Sequence, residues 1–327
     1  MRRALIAAAA LITASCLTAG GAWAAQRVKV SVAGAGPGAA AYVIWGGLAA
    51  LVSQESKTVE MSNITTRGAV EDIRLIEAGK AEFGLGVATL ILRAQDGQKP
   101  FKKKHVKLRG VGPATVTMFH VATYKASGIT SIGQLNGKRV SFAEQGSMTH
   151  FMTDLMEKAA GIKTMRQYLN WNVAADAIKD GRLDAFTIPN PLPAPSILKA
   201  ATAAPINLLP LEGKVLDGLL KASPAFFKIS IPAGSYDGVE KDVPTIGYVA
   251  WTIANADVPA DVVYEVTRLN YSKKGRDFLP KVHKGWATGF RIAPALEQMS
   301  AIGLKIHPGA ARFWREEGHK VPANIAN

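Results

Sequence analysis

Short β-rich runs alternate with helical patterns along most of the chain. Val30-Ser31-Val32-Ala33 is one such run; it opens into Gly34-Ala35-Gly36-Pro37-Gly38, and an apolar helical segment follows from Tyr42. The same order returns at Val140-Ser141-Phe142-Ala143, then Glu144-Gln145-Gly146-Ser147, then a helical pattern from Met148. A second signature is also doubled. Glu71–Ala78 reads as a helix with Val70, Ile73 and Ile76 on one face and a stop at Gly79, and Ala174–Asp180 reads as a helix stopped by Gly181. Glycine just past a helix takes the left-handed conformation without steric cost, so both stops are sound. A strand follows each: Phe83, Leu85 and Val87 alternate in the first copy, and Ala185–Ile188 is a buried run in the second.

Alternating strands and helices imply an α/β fold with parallel-rich sheets flanked by helices. Two units at similar spacing predict two sheets, one per lobe, rather than one long sheet. Ligands of open α/β sheets sit beyond the carboxyl ends of strands, where both glycine loops fall. Lobes whose loops face each other would enclose a ligand in a cleft, the shape of a hinge-closing solute-binding protein. His120–Tyr124 reads as the strand leaving the first lobe, and Thr245–Ile253 as the one returning to it. The expected division is residues 25–122 with 246–327 in one lobe and 123–245 in the other. Helical patterns at Ala260–Leu269 and Pro294–Ile302 would close the first lobe. Pro189–Pro195, with four prolines, argues against helix and inner strand and predicts a shaped loop on the cleft side, which carries Asn190 with it.

At 327 residues, 48% apolar and 20% charged, the composition is ordinary for a globular chain and excludes wholesale disorder, collagen and coiled coil. The N-terminus changes the picture. Met1–Ala24 reads as a cleavable secretory signal, with Arg2 and Arg3 ahead of an apolar segment and Ala22-Trp23-Ala24 as the small-x-small cleavage site. The rival is a lipoprotein signal acylated at Cys16, although Thr13-Ala14-Ser15-Cys16 lacks the usual upstream leucine. A periplasmic protein is expected, with no apolar stretch of 18 residues beyond the leader. Cys16 is the single cysteine, so no disulfide framework or Cys-rich zinc site is available. The net charge is +14, and Lys99–Arg109 gathers six basic residues and His105 within eleven positions. Nucleic-acid binding usually adds interleaved aromatics, and only Phe101 interleaves here, so that partner is not expected. The segment is a solvated basic loop or a docking face for an anionic partner or membrane headgroups.

The loops carry the candidate chemistry. Ala143–His150 opens a helix, with Ser147 and Thr149 beside Gly146, so backbone N–H groups, the helix dipole and two hydroxyls converge as an anion would require. Ser147 equally well only caps its helix. Gly36 and Gly38 repeat the recipe in the first loop, with the Tyr42 hydroxyl one turn inside. Thr66-Arg67-Gly68 precedes a third helix start, where Arg67 would clamp a carboxylate bidentately or lie on the surface. Gly34-x-Gly36-x-x-Ala39 departs from a dinucleotide fingerprint, GxxxxGK[ST] is missing, the six histidines form no ligand pairs, and Ser147 with His150 lacks a GxSxG elbow. No cofactor, metal or catalytic residue is therefore expected, and most of the six tryptophans should be core.

Several blocks then occur in a recognisable order: Tyr42–Gly47, TRGAVEDIRL at Thr66–Leu75, GKAEFGLG at Gly79–Gly86, FAEQGSMT at Phe142–Thr149, DGRLDAF at Asp180–Phe186, IPAGSYDGVEKDVPT at Ile231–Thr245 and IHPG at Ile306–Gly309. Together they resemble the TAXI family of extracytoplasmic solute-binding subunits of TRAP transporters over essentially the whole mature chain. The resemblance implies a type II-like, two-lobed periplasmic binding protein that hands its solute to a TRAP-type membrane permease and is not an enzyme. It implies a small organic anion as ligand, a dicarboxylate, keto acid or acidic amino acid. The family's first-loop tyrosine falls on Tyr42, its threonine turn on Thr66, Arg67, Gly68 and Ala69, and its glycine-serine turn on Gly146, Ser147, Met148 and Thr149. Ala88 and Thr89 stand where relatives carry a polar stretch. Arg67, Ala69 and Met148 depart from the pattern and imply a more cationic, more apolar pocket, suited to a keto or aromatic acid without an ammonium group. Binding proteins of ABC-type or sensor systems are the alternatives, and an enzyme on the same fold would have only Glu144 and His150 near the cleft.

Overall fold

Residues 26–290 and 293–326 are described by a computed structural model; the leader expected at Met1–Ala24, with Cys16 and Trp23, lies outside them. The first half opens with β1 (Val28–Ala33), α1 (Ala40–Glu55), β2 (Val59–Ile64), α2 (Ala69–Glu77), β3 (Phe83–Val87) and α3 (Ala88–Asp96). β1 pairs in parallel with both β2 and β3, with a helix in each connection as βαβ units require. Val30 and Val32 turn inward from β1, while Ile44, Leu48, Leu51 and Val52 bury one stripe of α1.

A long strand, β4 (Leu108–Tyr124), then carries the chain into the second half. There β5 (Arg139–Ser141), α4 (Met148–Ala160), β6 (Met165–Gln167), α5 (Trp171–Lys179), β7 (Ala185–Asn190), α6 (Pro195–Ala201), β8 (Ile206–Leu208), α7 (Gly213–Ala222) and β9 (Phe227–Ile231) follow. β5 repeats the role of β1, pairing in parallel with β6 and β7. The return strand β10 (Val243–Asn255) leads to α8 (Ala260–Tyr271), α9 (Lys273–Val282), α10 (Ala293–Ala301) and α11 (Pro308–Glu316). These helices pack on the first half. Trp286 Nε1 donates to the Ile44 carbonyl at 3.3 Å, and Trp314 Nε1 donates to that of Val111 at 2.9 Å. Both predicted helix stops are realised, with Gly79 and Gly181 each at φ 66°.

The expectation of two separate sheets does not hold. One ladder runs β2-β1-β3-β10-β4-β7-β5-β6, with β8 on β4 and β9 on β10. The reason is strand length: β4 has 17 residues and β10 has 13, enough for each to serve two sets of neighbours. β4 lies antiparallel to β10 over Leu108–Met118 and to β7 over Met118–Ala122, so the ladder changes partner at Met118.

The proline-rich segment also departs from expectation. Pro189 lies within β7, opposite Phe119. β5 pairs only with Ala185 and Phe186, so the far side of Pro189 faces no ladder that needs its missing N–H. Pro195 begins α6, where the first-turn N–H would have no intrahelical partner anyway. Trp45, Trp171, Trp251, Trp286 and Trp314 are all buried, as the scattered spacing predicts.

Candidate functional site

Both glycine loops leave the carboxyl ends of parallel strands, and the structure brings them against the opposite half. In the β1–α1 loop Gly38 has φ +90°, and a Cβ there would lie 2.9 Å from the backbone nitrogen of Asn172, at the start of α5. Gly68 precedes α2 with φ +115°, and a Cβ there would lie 3.6 Å from the Trp171 ring and 3.8 Å from Cβ of Ser147. The N-terminus of α2 therefore faces that of α4. At Gly38 both the close approach and the positive φ exclude a larger residue, whereas at Gly68 the space is ordinary and the φ alone restricts the position to glycine.

Each helix start has its own solution. Ser147 caps α4, its hydroxyl accepting from the His150 N–H at 3.1 Å, while the Gly146 N–H donates to His150 Nδ1 at 3.2 Å. Of the two readings the sequence leaves open, capping is realised, and the buried Ser147 does not line the cavity described next. Thr149, the second residue of α4, accepts from Trp171 Nε1 at 3.1 Å. α1 has no cap of its own at Ala39. Asn190 of the second half supplies one, its Oδ1 accepting from the Ala40 N–H at 3.1 Å.

A cavity of about 510 Å³ lies beside these contacts, lined from one side by Gly36, Thr66, Arg67 and Glu71 and from the other by Glu144 and Asn170–Val173. The cationic lining expected from Arg67 is corrected here. Glu71 Oε2 accepts from both the Arg67 backbone N–H at 2.8 Å and its Nε at 3.1 Å. Burial raises the Glu71 carboxyl, but the Arg67 hydrogen bonds outweigh it and hold the group below its ordinary value. With Glu144 also present, the lining carries two carboxylates and one guanidinium. An i, i+4 acid opposes the cation that the loop sequence suggests.

Behind the β2–α2 loop, Asp72 is fully buried. It accepts from the Thr66 hydroxyl, which in turn accepts from the Gly68 N–H at 3.2 Å. Burial pushes this carboxyl up to about 7 against those hydrogen bonds. The remaining candidates are dispersed. Tyr42 is 36% exposed on α1 and is not part of the cavity wall. Ala88 lines a different, largely apolar cavity of about 290 Å³, and neighbouring Thr89 shares a 2.7 Å hydrogen bond with Ser223. Sequence reasoning missed Asp72 and the whole of Asn170–Val173. Asn170 had a signal, since it stands at the N-cap just before a helical pattern, and its side chain accepts from the Val173 N–H at 3.0 Å.

A mixed sheet flanked by helices, with glycine loops of two halves meeting over a cavity, is the fold of the two-lobed periplasmic binding proteins. The chain belongs to the NMT1-like family, which it matches over residues 32–318. A solved structure described as a periplasmic transporter is similar at TM-score 0.53 and 14% identity, covering 82% of this chain and 96% of that one. A structure from Bordetella bronchiseptica RB50 is similar at TM-score 0.53 and 15% identity, covering 90% and 99%. The alkanesulfonate-binding protein SsuA from Xanthomonas axonopodis pv. citri, bound to MOPS, is similar at TM-score 0.49 and 14% identity, covering 92% and 97%. Among the described residues no helix is long and apolar enough to cross a membrane.

Proposed function

We propose that this chain is an extracytoplasmic solute-binding protein that captures a small organic anion between its lobes and delivers it to a TRAP-type membrane transporter. The observation that carries the reading is the apposition of Gly68 and Ser147. Two helix N-termini from opposite halves converge beside a cavity to which both halves contribute lining residues, and partial positive charge converges with them. The lobes are taken as residues 25–122 with 246–327 and residues 123–245, with β4 and β10 as the two crossings. Closure would then be a population shift stabilised by contacts that only the closed form makes.

The lining refines the ligand class. The starts of α2 and α5 on the cavity wall suit a carboxylate, while Glu71 and Glu144 offer partners for an ammonium group. An acidic amino acid fits this set at least as well as a keto acid. Delivery to a TRAP permease rests on the family resemblance of the motif blocks.

Native mass spectrometry of the freshly purified protein, followed by calorimetry with glutamate, 2-oxoglutarate and an aromatic acid, tests the reading. Binding of at least one carboxylate, with the ligand recovered unaltered, is expected. Failure to bind any carboxylate, together with capture of a neutral or cationic solute, would overturn the anion assignment. Uptake that requires ATP hydrolysis rather than an ion gradient would replace the TRAP partner with an ABC-type one.

A further inference from the structure

We propose that the loop joining α3 to β4 is a docking face for an anionic lipid surface. The segment is built rather than loose. Phe101 and His105 are 3% and 5% exposed and pack edge to face with centroids 4.8 Å apart. The His105 N–H donates to the Ala94 carbonyl at 2.8 Å. Arg74 Nη2 donates to the Pro100 carbonyl at 2.6 Å, and Arg93 Nη1 donates to that of Lys99 at 3.0 Å. Glu77 accepts from the backbone N–H groups of Val106 and Lys107 at 3.1 and 2.9 Å.

This internal pinning decides which charges face outward. Arg74 and Arg93 each spend hydrogen bonds on the loop's own carbonyls, while Lys99, Lys102, Lys103 and Lys104 stand exposed. Among the described residues none of these four lysines forms an ion pair with a carboxylate. A notch of about 190 Å³ beside them is lined by Arg74, Lys102, Lys103 and His105 together with Glu77 and Ala78. Next to the lysines, Val106 is 68% exposed, more than any other large apolar side chain described.

Those features favour lipid over protein. Ammonium groups are point charges without a fixed fork, suited to mobile phosphates, whereas a folded acidic protein surface is better matched by the guanidinium forks that are turned inward here. Clustered lysines around an exposed apolar side chain match the boundary between anionic headgroups and acyl chains. The position also fits. α2 starts at the cleft with Gly68 and α3 starts at the carboxyl end of β3, and both end at this loop. Arg93 also stacks on Phe151 of α4 at 4.7 Å, so the Lys99 end of the loop adjoins the second half. Lys102 and Lys103, by contrast, share a notch with Arg74 and Glu77 at the end of α2 opposite Gly68, and docking through those lysines leaves the cleft open.

Vesicle co-sedimentation of the full chain tests the inference. Binding is expected to vesicles containing phosphatidylglycerol and not to phosphatidylcholine alone, and to weaken with added salt. The triple variant Lys102→Gln, Lys103→Gln, Lys104→Gln should lower the partition coefficient on the order of a hundredfold, at about a factor of five per lysine. The charge-matched control Lys163→Gln, Lys179→Gln, Lys214→Gln, three exposed lysines of the second half, should lower it by less than about threefold, since charges away from the docked loop are screened by salt. Solute binding should be unchanged in both variants, which shows that they are folded. Equal binding to both kinds of vesicle, equal losses in the two variants, or binding only when a membrane protein is reconstituted would overturn the assignment.

Discussion

The side-chain oxygen of Asn190 accepts a hydrogen bond from the Ala40 N–H at 3.1 Å, so the last residue of β7 caps a helix of the opposite half. Among the described residues the buried Asn190 Nδ2 finds no partner, and the carboxamide is held by its acceptor. Removing it leaves the first helix uncapped but leaves each half intact.

Asn190→Ala is accordingly expected to cost about 1 kcal/mol of cap energy in the closed form only. That shifts an open–closed equilibrium about fivefold toward open. Small-angle scattering should show a larger radius of gyration for the ligand-free variant, and an unchanged radius would remove Asn190 from the closure contacts.

Gly38→Ala acts on the same contact from the other side. A methyl group would meet the Asn172 backbone at 2.9 Å, and the φ of +90° disfavours any L-side chain. Holding the halves apart relieves the first problem but not the second. Solute affinity is expected to fall by more than about tenfold, with a thermal destabilisation of about 1–2 kcal/mol from the backbone alone. A variant that melts earlier yet binds normally would show that the approach of Gly38 to Asn172 is not part of the bound form.

Arg67 and Glu71 should respond in opposite directions. Arg67→Ala leaves Glu71 and Glu144 unopposed in the cavity wall, so a carboxylate ligand should bind more weakly. Glu71→Gln should strengthen a keto or aromatic acid, which brings no ammonium group to Glu71, with each change about three- to tenfold, because an exposed pair is screened by water. Calorimetry at two salt concentrations reads both effects. Parallel changes in the two variants would place the pair outside the site.

Stability against pH carries a sign contest. Burial raises Asp72 from its ordinary 3.8 to about 7, so the folded state binds the extra proton, and stability falls as pH rises through that window. Burial lowers His120 and His307 from 6.5 to about 4 each, so for them the unfolded state binds the extra protons and stability falls as pH drops. Burial lowers His283 as well, so below 6.5 three histidines oppose one aspartate, and above it the aspartate alone of these groups sets the slope. The melting temperature should peak near pH 6.5. In Asp72→Asn the decline between 6.5 and 7 should disappear, and its persistence would show that another group causes it.

Much of the local structure was legible along the chain. The stops at Gly79 and Gly181, the cap at Ser147 and the alternation of β3 depend on residues within a turn or a few pleats of one another, and periodicity records such relations. The doubled strand–glycine loop–helix unit likewise identified an α/β fold with its loops at the carboxyl ends of strands. One local relation, the i, i+4 pairing of Arg67 with Glu71, was equally available and changes the electrostatic character of the cavity.

Tertiary structure decided the rest. That β4 and β10 join two halves into one ladder follows from which neighbours they find at Met118, and Pro189 fits a strand only because β5 ends before reaching it. Asn190 reaches Ala40 across 150 residues of sequence, and Gly38 meets Asn172 across a comparable gap. Contacts of that separation leave no periodic trace, because each partner is selected by the packing of whole layers rather than by its own neighbours in the chain.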